Sequence, residues 1–299
     1  MNILTIKHLN KSFGTKRVLN ELCMCVPEHS IFGFVGRNGA GKTTTMKSVL
    51  GLLRPDSGEI FVADERVSFG QTSTNRHIGY LPDVPEFYSF MTPWEYLRLC
   101  GESTNMEKAD IDRRSEELLS LVGLAHDNRR IKGFSRGMKQ RLGIAQALLS
   151  SPRLLICDEP TSALDPIGRK EILDILLSVR EQTTVLFSTH ILSDVERICT
   201  DVALLHEGRI AMQGSVDEIK SAHRAGDITV ETLDDESARR ILCAFERVSR
   251  AENGAIILSG NDALMFELLE LINREKLCVR KIERAEPSLE TLFVEVVNK

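Results

Sequence analysis

One glycine-rich stretch constrains the fold of this chain more than any other feature, and it reads Gly36-Arg37-Asn38-Gly39-Ala40-Gly41-Lys42-Thr43. It matches the pattern G-x-x-x-x-G-K-[ST] in full, between an apolar run at 31–35 and a predicted helix that begins near Lys42. Glycines let the backbone wrap closely around an anion, because no Cβ obstructs the turn. The N–H groups at the start of a helix then point at that anion. The stretch predicts a strand–loop–helix unit that binds phosphates.

This phosphate loop, residues 36–44, predicts which groups contact a nucleotide. We expect Lys42 to reach the β- and γ-phosphates and the Thr43 hydroxyl to bind Mg²⁺. The ligands that this loop predicts are therefore ATP and Mg²⁺. The expected nucleotide-binding residues are Gly36, Arg37, Asn38, Gly39, Ala40, Gly41, Lys42, Thr43 and Thr44.

Two adjacent acids follow a second apolar run, at 154–157. A buried strand would hold Asp158 rigidly at its end, where the carboxylate can bind Mg²⁺ directly or through water. Because adjacent strand residues point to opposite sides, Glu159 is aimed differently and is the candidate that polarises the attacking water. Strands frequently end in acidic turns, so this pattern indicates a catalytic site only in combination with the phosphate loop.

Strand-like and helix-like segments alternate over residues 1–220, which predicts an α/β domain. Thr92 and Glu95 predict a capped helix start around Pro93. A polar stretch at 221–227 predicts a domain boundary, and residues 221–299 form a second, small α+β domain. Its segments follow the order β-α-β-β-α-β, which fits a ferredoxin-like unit, and a terminal helix comes after them.

Composition excludes several classes of protein. The net charge of -5 over 299 residues argues against a protein that coats nucleic acid, so no nucleic-acid partner is expected. No run of 18 apolar residues and no signal-peptide core occur, so we expect neither a membrane span nor a secretory leader. The 7 cysteines are scattered, which predicts small buried side chains in a reducing cytosol rather than disulfides or zinc.

Further motifs give the chain its family resemblance. Residues 134–141 read FSRGMKQR and are similar to the LSGGQ signature, 162–165 look like a D-loop, and His190 ends a predicted strand. With the phosphate loop and the 154–159 strand, these motifs appear in the order found in ATP-binding subunits of ABC transporters. The chain resembles that family over about residues 3–220. The resemblance implies a P-loop fold of the ABC type, with a mixed sheet and a helical signature subdomain at about 84–150.

The resemblance also implies roles for several residues. Two ATPase copies, identical or different, would sandwich two ATP molecules, with Ser135 and Gly137 of one copy contacting the γ-phosphate held by the other. Ser135 can cap the signature helix and make its N-terminus an anion site. His190 would hydrogen-bond the γ-phosphate and orient water. Phe13 would stack on adenine, where the commoner residue is Tyr.

Departures from the family pattern occur at two sites. Arg136 and Met138 replace the consensus Gly and Gln of the signature, while Ser135 and Gly137 remain. Asp83 stands where the family usually has the Q-loop Gln. Asp is shorter and charged, so Asp83 is counted among the candidate metal ligands, and the usual Gln contact is not assumed.

The segment 287–295 reads PSLETLFVE and is similar to the ending of ABC-2-type exporter subunits for drugs, antibiotics and lantibiotics. The same segment is an ordinary amphipathic helix by its pattern. The expected function is a Mg-dependent ATPase that drives export through a separate transmembrane permease, bound to the inner face of the cell membrane from the cytoplasm. The alternatives are an importer ATPase, a soluble ABC ATPase acting on ribosomes or DNA, and a regulatory subunit that does not hydrolyse ATP.

Overall fold

A computed structural model describes residues 1–71, 73–125, 127–222, 228–251, 254–258, 262–284 and 288–297. The chain divides into two compact units, Met1–Val216 and Asp217–Lys299. The sequence placed this boundary a few residues later, at the start of the polar stretch 221–227. Residues 223–227 of that stretch lie outside the described residues.

Strands and helices alternate through most of the first unit. Its strands are β1 (Asn2–Phe13), β2 (Lys16–Pro27), β3 (Ile31–Gly36), β4 (Ser57–Val62), β5 (Glu65–Arg66), β6 (Ile78–Leu81), β7 (Leu154–Asp158), β8 (Thr184–Thr189), β9 (Asp201–His206) and β10 (Arg209–Ser215). Its helices are α1 (Lys42–Val49), α2 (Pro93–Ser103), α3 (Lys108–Leu121), α4 (Arg136–Leu148), α5 (Pro166–Ser178) and α6 (Leu192–Ile198), and α7 (Val216–Ala222) follows them. The predicted strand before the phosphate loop and the predicted helix after it are confirmed as β3 and α1.

Two sheets form the first unit. An antiparallel sheet has the order β2-β1-β4-β5, and a six-stranded mixed sheet has the order β10-β9-β3-β8-β7-β6. In the mixed sheet β9, β3, β8, β7 and β6 run parallel, and β10 is antiparallel at the edge. Ligands of such sheets bind beyond the carboxyl ends of the parallel strands. The loops after β3, β7 and β8 therefore leave the sheet at one edge, where the candidate site lies.

A hydrophobic core joins the two sheets and α1. It includes Ile6 and Leu22 from the antiparallel sheet, Phe32 and Phe34 from β3, and Met46 from α1, each 2% exposed or less. Burying one aliphatic or aromatic side chain stabilises a fold by roughly 1.5–3 kcal/mol. Every residue of β3 is buried, so this strand holds the start of the phosphate loop in a fixed position.

The helices α2, α3 and α4 lie within the range predicted for the helical subdomain. Thr92 and Glu95 form the predicted capping box at the start of α2: the Thr92 hydroxyl accepts from Glu95 N, and the Glu95 carboxylate accepts from Thr92 N. Ser135 caps α4 as predicted, because its hydroxyl accepts from Met138 N at 3.2 Å. Buried Leu97, from α2, contributes to the apolar side of these helices. The first turns of α2 and α4 are thereby fixed by local hydrogen bonds.

The second unit has the predicted order of elements, with β11 (Ile228–Thr232), α8 (Asp235–Ala244), β12 (Val248–Arg250), β13 (Ile256–Leu258), α9 (Asp262–Glu275), β14 (Val279–Arg284) and the terminal helix α10 (Leu289–Val297). The sheet is antiparallel in the order β12-β13-β11-β14. That topology is the ferredoxin-like one. Val230, Ile241, Ile256 and Leu268 form its separate core. Pro287 of the exporter-like ending lies outside the described residues.

The expectation that the cysteines are buried is wrong for several of them. All 7 are free; Cys23, Cys243 and Cys278 are exposed, whereas Cys157 is buried. Cys157 lies in β7, where strand position decides burial, whereas scattered spacing carries no information on exposure.

Among the described residues, no helix is long and apolar enough to cross a membrane.

Candidate nucleotide-binding site

The phosphate loop closes onto the first turn of α1. Gly41, just before α1, has a φ of 115°, a conformation that residues with a Cβ rarely adopt. A Cβ at Gly41 would also lie 2.7 Å from Leu19 Cδ2, closer than real side chains approach. Gly39 has a φ of 81°. These two positions favour glycine, which lets the loop turn sharply into α1, whose first N–H groups favour an anion.

Lys42 is held inside this loop. Its Nζ donates to Gly36 O at 2.7 Å, and it lies 3.0 Å from Glu159 Oε1. The lysine side chain is only 6% exposed. The backbone of Ala40 donates to Arg37 O at 3.1 Å, which tightens the same turn. The ammonium group is thus positioned by the loop itself, at the site where phosphates are expected.

Asp158, at the end of β7, makes two short hydrogen bonds. Thr43 Oγ1 donates to Asp158 Oδ2 at 2.7 Å, and Ser188 Oγ donates to Asp158 Oδ1 at 2.6 Å. A hydroxyl and a carboxylate side by side are the hard oxygen ligands that Mg²⁺ prefers, and Mg²⁺ keeps several waters and phosphate oxygens besides. Among the described residues no cluster of three or more His, Cys, Asp or Glu side chains could hold a metal by itself. The Thr43 hydroxyl and the Asp158 carboxylate are therefore oxygen groups of the kind that could contribute to a magnesium site.

Glu159 follows β7 with a φ of 48°, in the left-handed region. Its N–H donates to Ser188 Oγ at 3.0 Å. Its carboxylate lies between Lys42 Nζ, at 3.0 Å from Oε1, and His190 Nδ1, at 2.9 Å from Oε2. The carboxylates of Asp158 and Glu159 therefore point in different directions because of this turn. Strand alternation, from which the difference was predicted, does not apply, since Glu159 lies beyond the end of β7.

A cleft of about 330 Å³ lies over these groups, and its lining is Asn38, Gly39, Gly41, Lys42, Thr43, Thr44, Asp83, Glu159, Ser162 and His190. Asp83 enters it from the end of β6, 3.4 Å from Arg136 Nη2. Partial burial raises the pKa of Asp83, and the charges of Asp158 and Glu159 raise it further, while Arg136 opposes them. The structure thus brings together the phosphate loop, both acids, Asp83 and His190.

Three predicted residues lie apart from this cleft. Phe13 is 50% exposed at the end of the β1–β2 hairpin, with Lys11 Nζ 5.3 Å from its ring centre. Ser135 and Gly137 are at the start of α4 and are absent from the cleft lining. A Cβ at Gly137 would meet only Leu164 Cδ2, at 3.9 Å, so packing within the chain does not require glycine there.

Sequence reasoning missed Ser188 and a buried polar network behind the D-loop. Thr161 Oγ1 donates to Asp194 Oδ2 at 2.8 Å, and Arg169 Nε donates to Asp194 Oδ1 at 2.6 Å. Asp194 is 2% exposed, so these bonds fix the chain just after Glu159. The one available signal for Ser188 is its position two residues before His190, at the end of the predicted strand.

The fold and the site define a P-loop nucleotide-binding protein, and comparisons with known proteins make the class specific. A family model described as ABC transporter matches residues 19–162, and one described as the C-terminal domain of ATP-binding proteins like DrrA1-3 matches residues 214–297. Among solved structures, the chain resembles an ATP-binding subunit of an ABC transporter, at 33% identity and a TM-score of 0.66, covering 74% of this chain and 92% of that one.

Curated relatives span nearly the whole chain. It is 37% identical to the ABC transporter ATP-binding protein YxlF of Bacillus subtilis strain 168, over 99% of this chain and 100% of the relative. It is 35% identical to the bacitracin transport ATP-binding protein BcrA of Bacillus licheniformis, over 99% and 97%. The chain belongs to the family of ABC transporter ATP-binding proteins. Proteins of this family hydrolyse ATP to drive transport, so this chain is an ATPase and its nucleotide is ATP.

Proposed function

We propose that this chain powers an exporter of a drug, a peptide antibiotic or a lipid-like compound. It binds a separate transmembrane permease from the cytoplasm, at the inner face of the cell membrane, and works with a second ATPase copy. Two relatives named for bacitracin transport, from Bacillus licheniformis and Enterococcus faecalis, support this substrate class. The match of residues 214–297 to a DrrA-like C-terminal domain supports the same assignment.

The position of Glu159 between Lys42 and His190 is the observation that supports ATP hydrolysis at this site. Lys42 binds the β- and γ-phosphates and disperses the charge that develops on the γ-phosphate. Glu159 accepts a proton from the attacking water as it adds in line to phosphorus. His190 holds the Glu159 carboxylate in place and hydrogen-bonds the γ-phosphate. Ser188 fixes the Glu159 backbone and the Asp158 carboxylate at once.

Thr43 and Asp158 are the residues that would hold Mg²⁺, which supplies charge neutralisation of the β- and γ-phosphate oxygens when bound. Their 2.7 Å contact supports the assignment, because it places a hydroxyl and a carboxylate oxygen at one point of the cleft. Backbone N–H groups of the phosphate loop, at the start of α1, would bind the phosphates.

A second ATPase copy completes the site in this proposal. Ser135 and Gly137 lie at the capped start of α4, whose N–H groups favour an anion. Because packing among the described residues does not require glycine at 137, close approach of the other copy's ATP accounts for the small residue. Phe13 presents an exposed ring on which adenine stacks.

The proposal is tested by purifying the tagged, full-length chain from detergent-solubilised native membranes. We expect a multi-span membrane protein in stoichiometric amount. The captured complex is then placed in lipid vesicles with this chain facing the outer solution, and uptake of labelled bacitracin is followed with and without ATP. ATP-driven accumulation inside the vesicles corresponds to export from a cell.

Three results would contradict the proposal. Recovery only with ribosomes or DNA-processing proteins assigns the chain to the soluble ABC ATPases. ATP-driven loss of substrate from preloaded vesicles assigns it to importers. Transport that persists when the complex carries Glu159→Gln shows that hydrolysis at this site does not drive the movement.

A further inference from the structure

Asp83 and Arg136 form an ion pair at the wall of the ATP cleft. Arg136 Nη2 lies 3.4 Å from Asp83 Oδ1, although the two residues are 53 positions apart in the chain. Asp83 follows β6 and lines the cleft. Arg136 is the first residue of α4, next to the capping residue Ser135. The pair thus connects the cleft to the start of the helix that carries the signature sequence.

Close packing supports this connection. Gln140, which is 2% exposed, donates its Nε2 to the backbone oxygen of Asp83 at 3.4 Å. One turn further along, a Cβ at Gly143 would lie 2.5 Å from Leu81 Cδ1, so α4 and the end of β6 are in direct contact. The segment from Leu81 to Asp83 therefore packs against α4. The Asp83–Arg136 pair is the charged end of this contact, next to the cleft.

The charges of the cleft explain why the pair matters. Asp83 shares the cleft region with the carboxylates of Asp158 and Glu159, and these like charges repel its own carboxylate. Among the described groups that act on Asp83, Arg136 is the cation that offsets this charge. The side chains of Arg136 and Asp83 are 45% and 48% exposed. Exposed pairs of this kind contribute little to folding stability, so variants of either residue should fold.

We propose that Asp83 and Arg136 act as one positioning pair, in which Arg136 neutralises Asp83 and holds the start of α4 against the wall of the ATP cleft. Removing either charge therefore slows hydrolysis, and removing both slows it no further. The inference rests on the ATP site proposed above. It accounts for two departures from the family pattern together, because the unusual acid at 83 meets the unusual cation at 136.

A double-mutant cycle tests the pair in the purified full-length chain. Asp83→Asn, Arg136→Gln and the double variant are compared by kcat and KM for ATP. Each single variant should lower kcat about three- to fivefold and change KM less than about twofold, because the loss is of geometry and not of a phosphate contact. The double variant should be no slower than the slower single variant, since both changes remove the same interaction.

Two results of the cycle would overturn the pair. If the loss in the double variant equals the product of the two single losses, the residues act independently. If Asp83→Asn lowers kcat and Arg136→Gln does not, Asp83 acts directly on the nucleotide or its metal ion.

A second comparison separates charge from shape. Asp83→Glu keeps the carboxylate, and Asp83→Asn keeps the size, so the proposal expects the Glu variant to retain more kcat. The opposite ranking would overturn it. The matched control is Asp174→Asn, which removes an exposed partner of Arg197 at 2.8 Å, with 50% and 41% exposure, away from the cleft lining. That control should hydrolyse ATP at the wild-type rate.

Lys42→Ala separates failure of this inference from failure of the proposed site. If Lys42→Ala binds and hydrolyses ATP like the wild type, the ATP site itself is wrong, whatever the cycle gives. If Lys42→Ala is inactive and the losses at Asp83 and Arg136 multiply, only the pair is wrong.

Discussion

The ammonium nitrogen of Lys42 lies 3.0 Å from Oε1 of Glu159, with the two side chains only 6% and 13% exposed. Glu159 also lies 2.9 Å from His190 Nδ1, through Oε2. The proposed phosphate-binding cation and the proposed base are thus joined by one ion pair. In the proposed mechanism, a phosphate that enters the cleft would compete with Glu159 for Lys42 and so release the base.

Loss of the loop cation should weaken ATP binding and stop hydrolysis. Lys42→Ala removes a charged donor that is nearly buried in the loop, and charged hydrogen bonds of this kind are each worth about 1.5–3 kcal/mol. We expect ATP affinity to fall about 10- to 100-fold and hydrolysis to stop. The measurement is titration with a fluorescent ATP analogue.

Lys47→Ala is the matched control for that titration, because Lys47 is exposed at the other end of α1. Its affinity for ATP should equal that of the wild type. Equal affinities for Lys42→Ala and Lys47→Ala would remove Lys42 from the site.

Ser188→Ala should weaken both folding and catalysis. Ser188 is 0% exposed and bridges Asp158 Oδ1 and Glu159 N, so the change leaves a buried acceptor and a buried donor unsatisfied. Such groups cost about 1–3 kcal/mol of stability. We expect the free energy of unfolding, measured with urea, to fall by that amount, and kcat for ATP hydrolysis to fall about tenfold.

Ser178→Ala is the comparison for this variant, since the hydrogen bond that Ser178 donates, to Ile175 O at 2.7 Å, is local. Its stability should change by less than about 0.5 kcal/mol. If Ser188→Ala hydrolyses ATP as fast as Ser178→Ala, Ser188 does not position the two acids.

Gly137→Ala should separate stability from activity. A Cβ at 137 has room in the chain, and alanine favours a helix over glycine by up to about 1 kcal/mol. The variant should therefore unfold at the same temperature or higher. We expect it to hydrolyse ATP more slowly, because in the proposed dimer the added methyl group would face the other copy's nucleotide.

Gly133→Ala is the control for Gly137, since a Cβ at 133 has room too, with no described atom within 4 Å, and 133 lies outside the signature turn. Its activity should not change. A fully active Gly137→Ala chain would argue against close approach of a partner at this turn.

The parts of the fold that depend on neighbouring residues could be predicted from the sequence. The apolar run before Gly36 and the glycines after it predict strand, loop and helix, and the structure has β3 and α1 there. Thr92 with Glu95, and Ser135 with Met138, are hydrogen-bond partners three residues apart, so helix starts could be predicted from spacing alone.

The parts that depend on strand register could not be predicted. Ser188 reaches Asp158 because β7 and β8 are parallel and place these two residues opposite each other. Asp83 meets Arg136 because α4 packs on β6. No local pattern encodes either contact. The left-handed turn at Glu159 is also invisible in the sequence, since glutamate has no preference for a φ of 48°.

Glu159→Gln tests whether Glu159 is the base of an ATP-hydrolysing site. The substitution keeps the size of the side chain and removes its capacity to accept a proton. The measurements are ATP turnover and, by light scattering with ATP present, the mass of the particle. We expect at least about a 100-fold loss of turnover, retained ATP binding and an ATP-bound dimer. Glu181→Gln, at an exposed position, should behave as the wild type. Hydrolysis by Glu159→Gln at the wild-type rate would show that Glu159 is not the base.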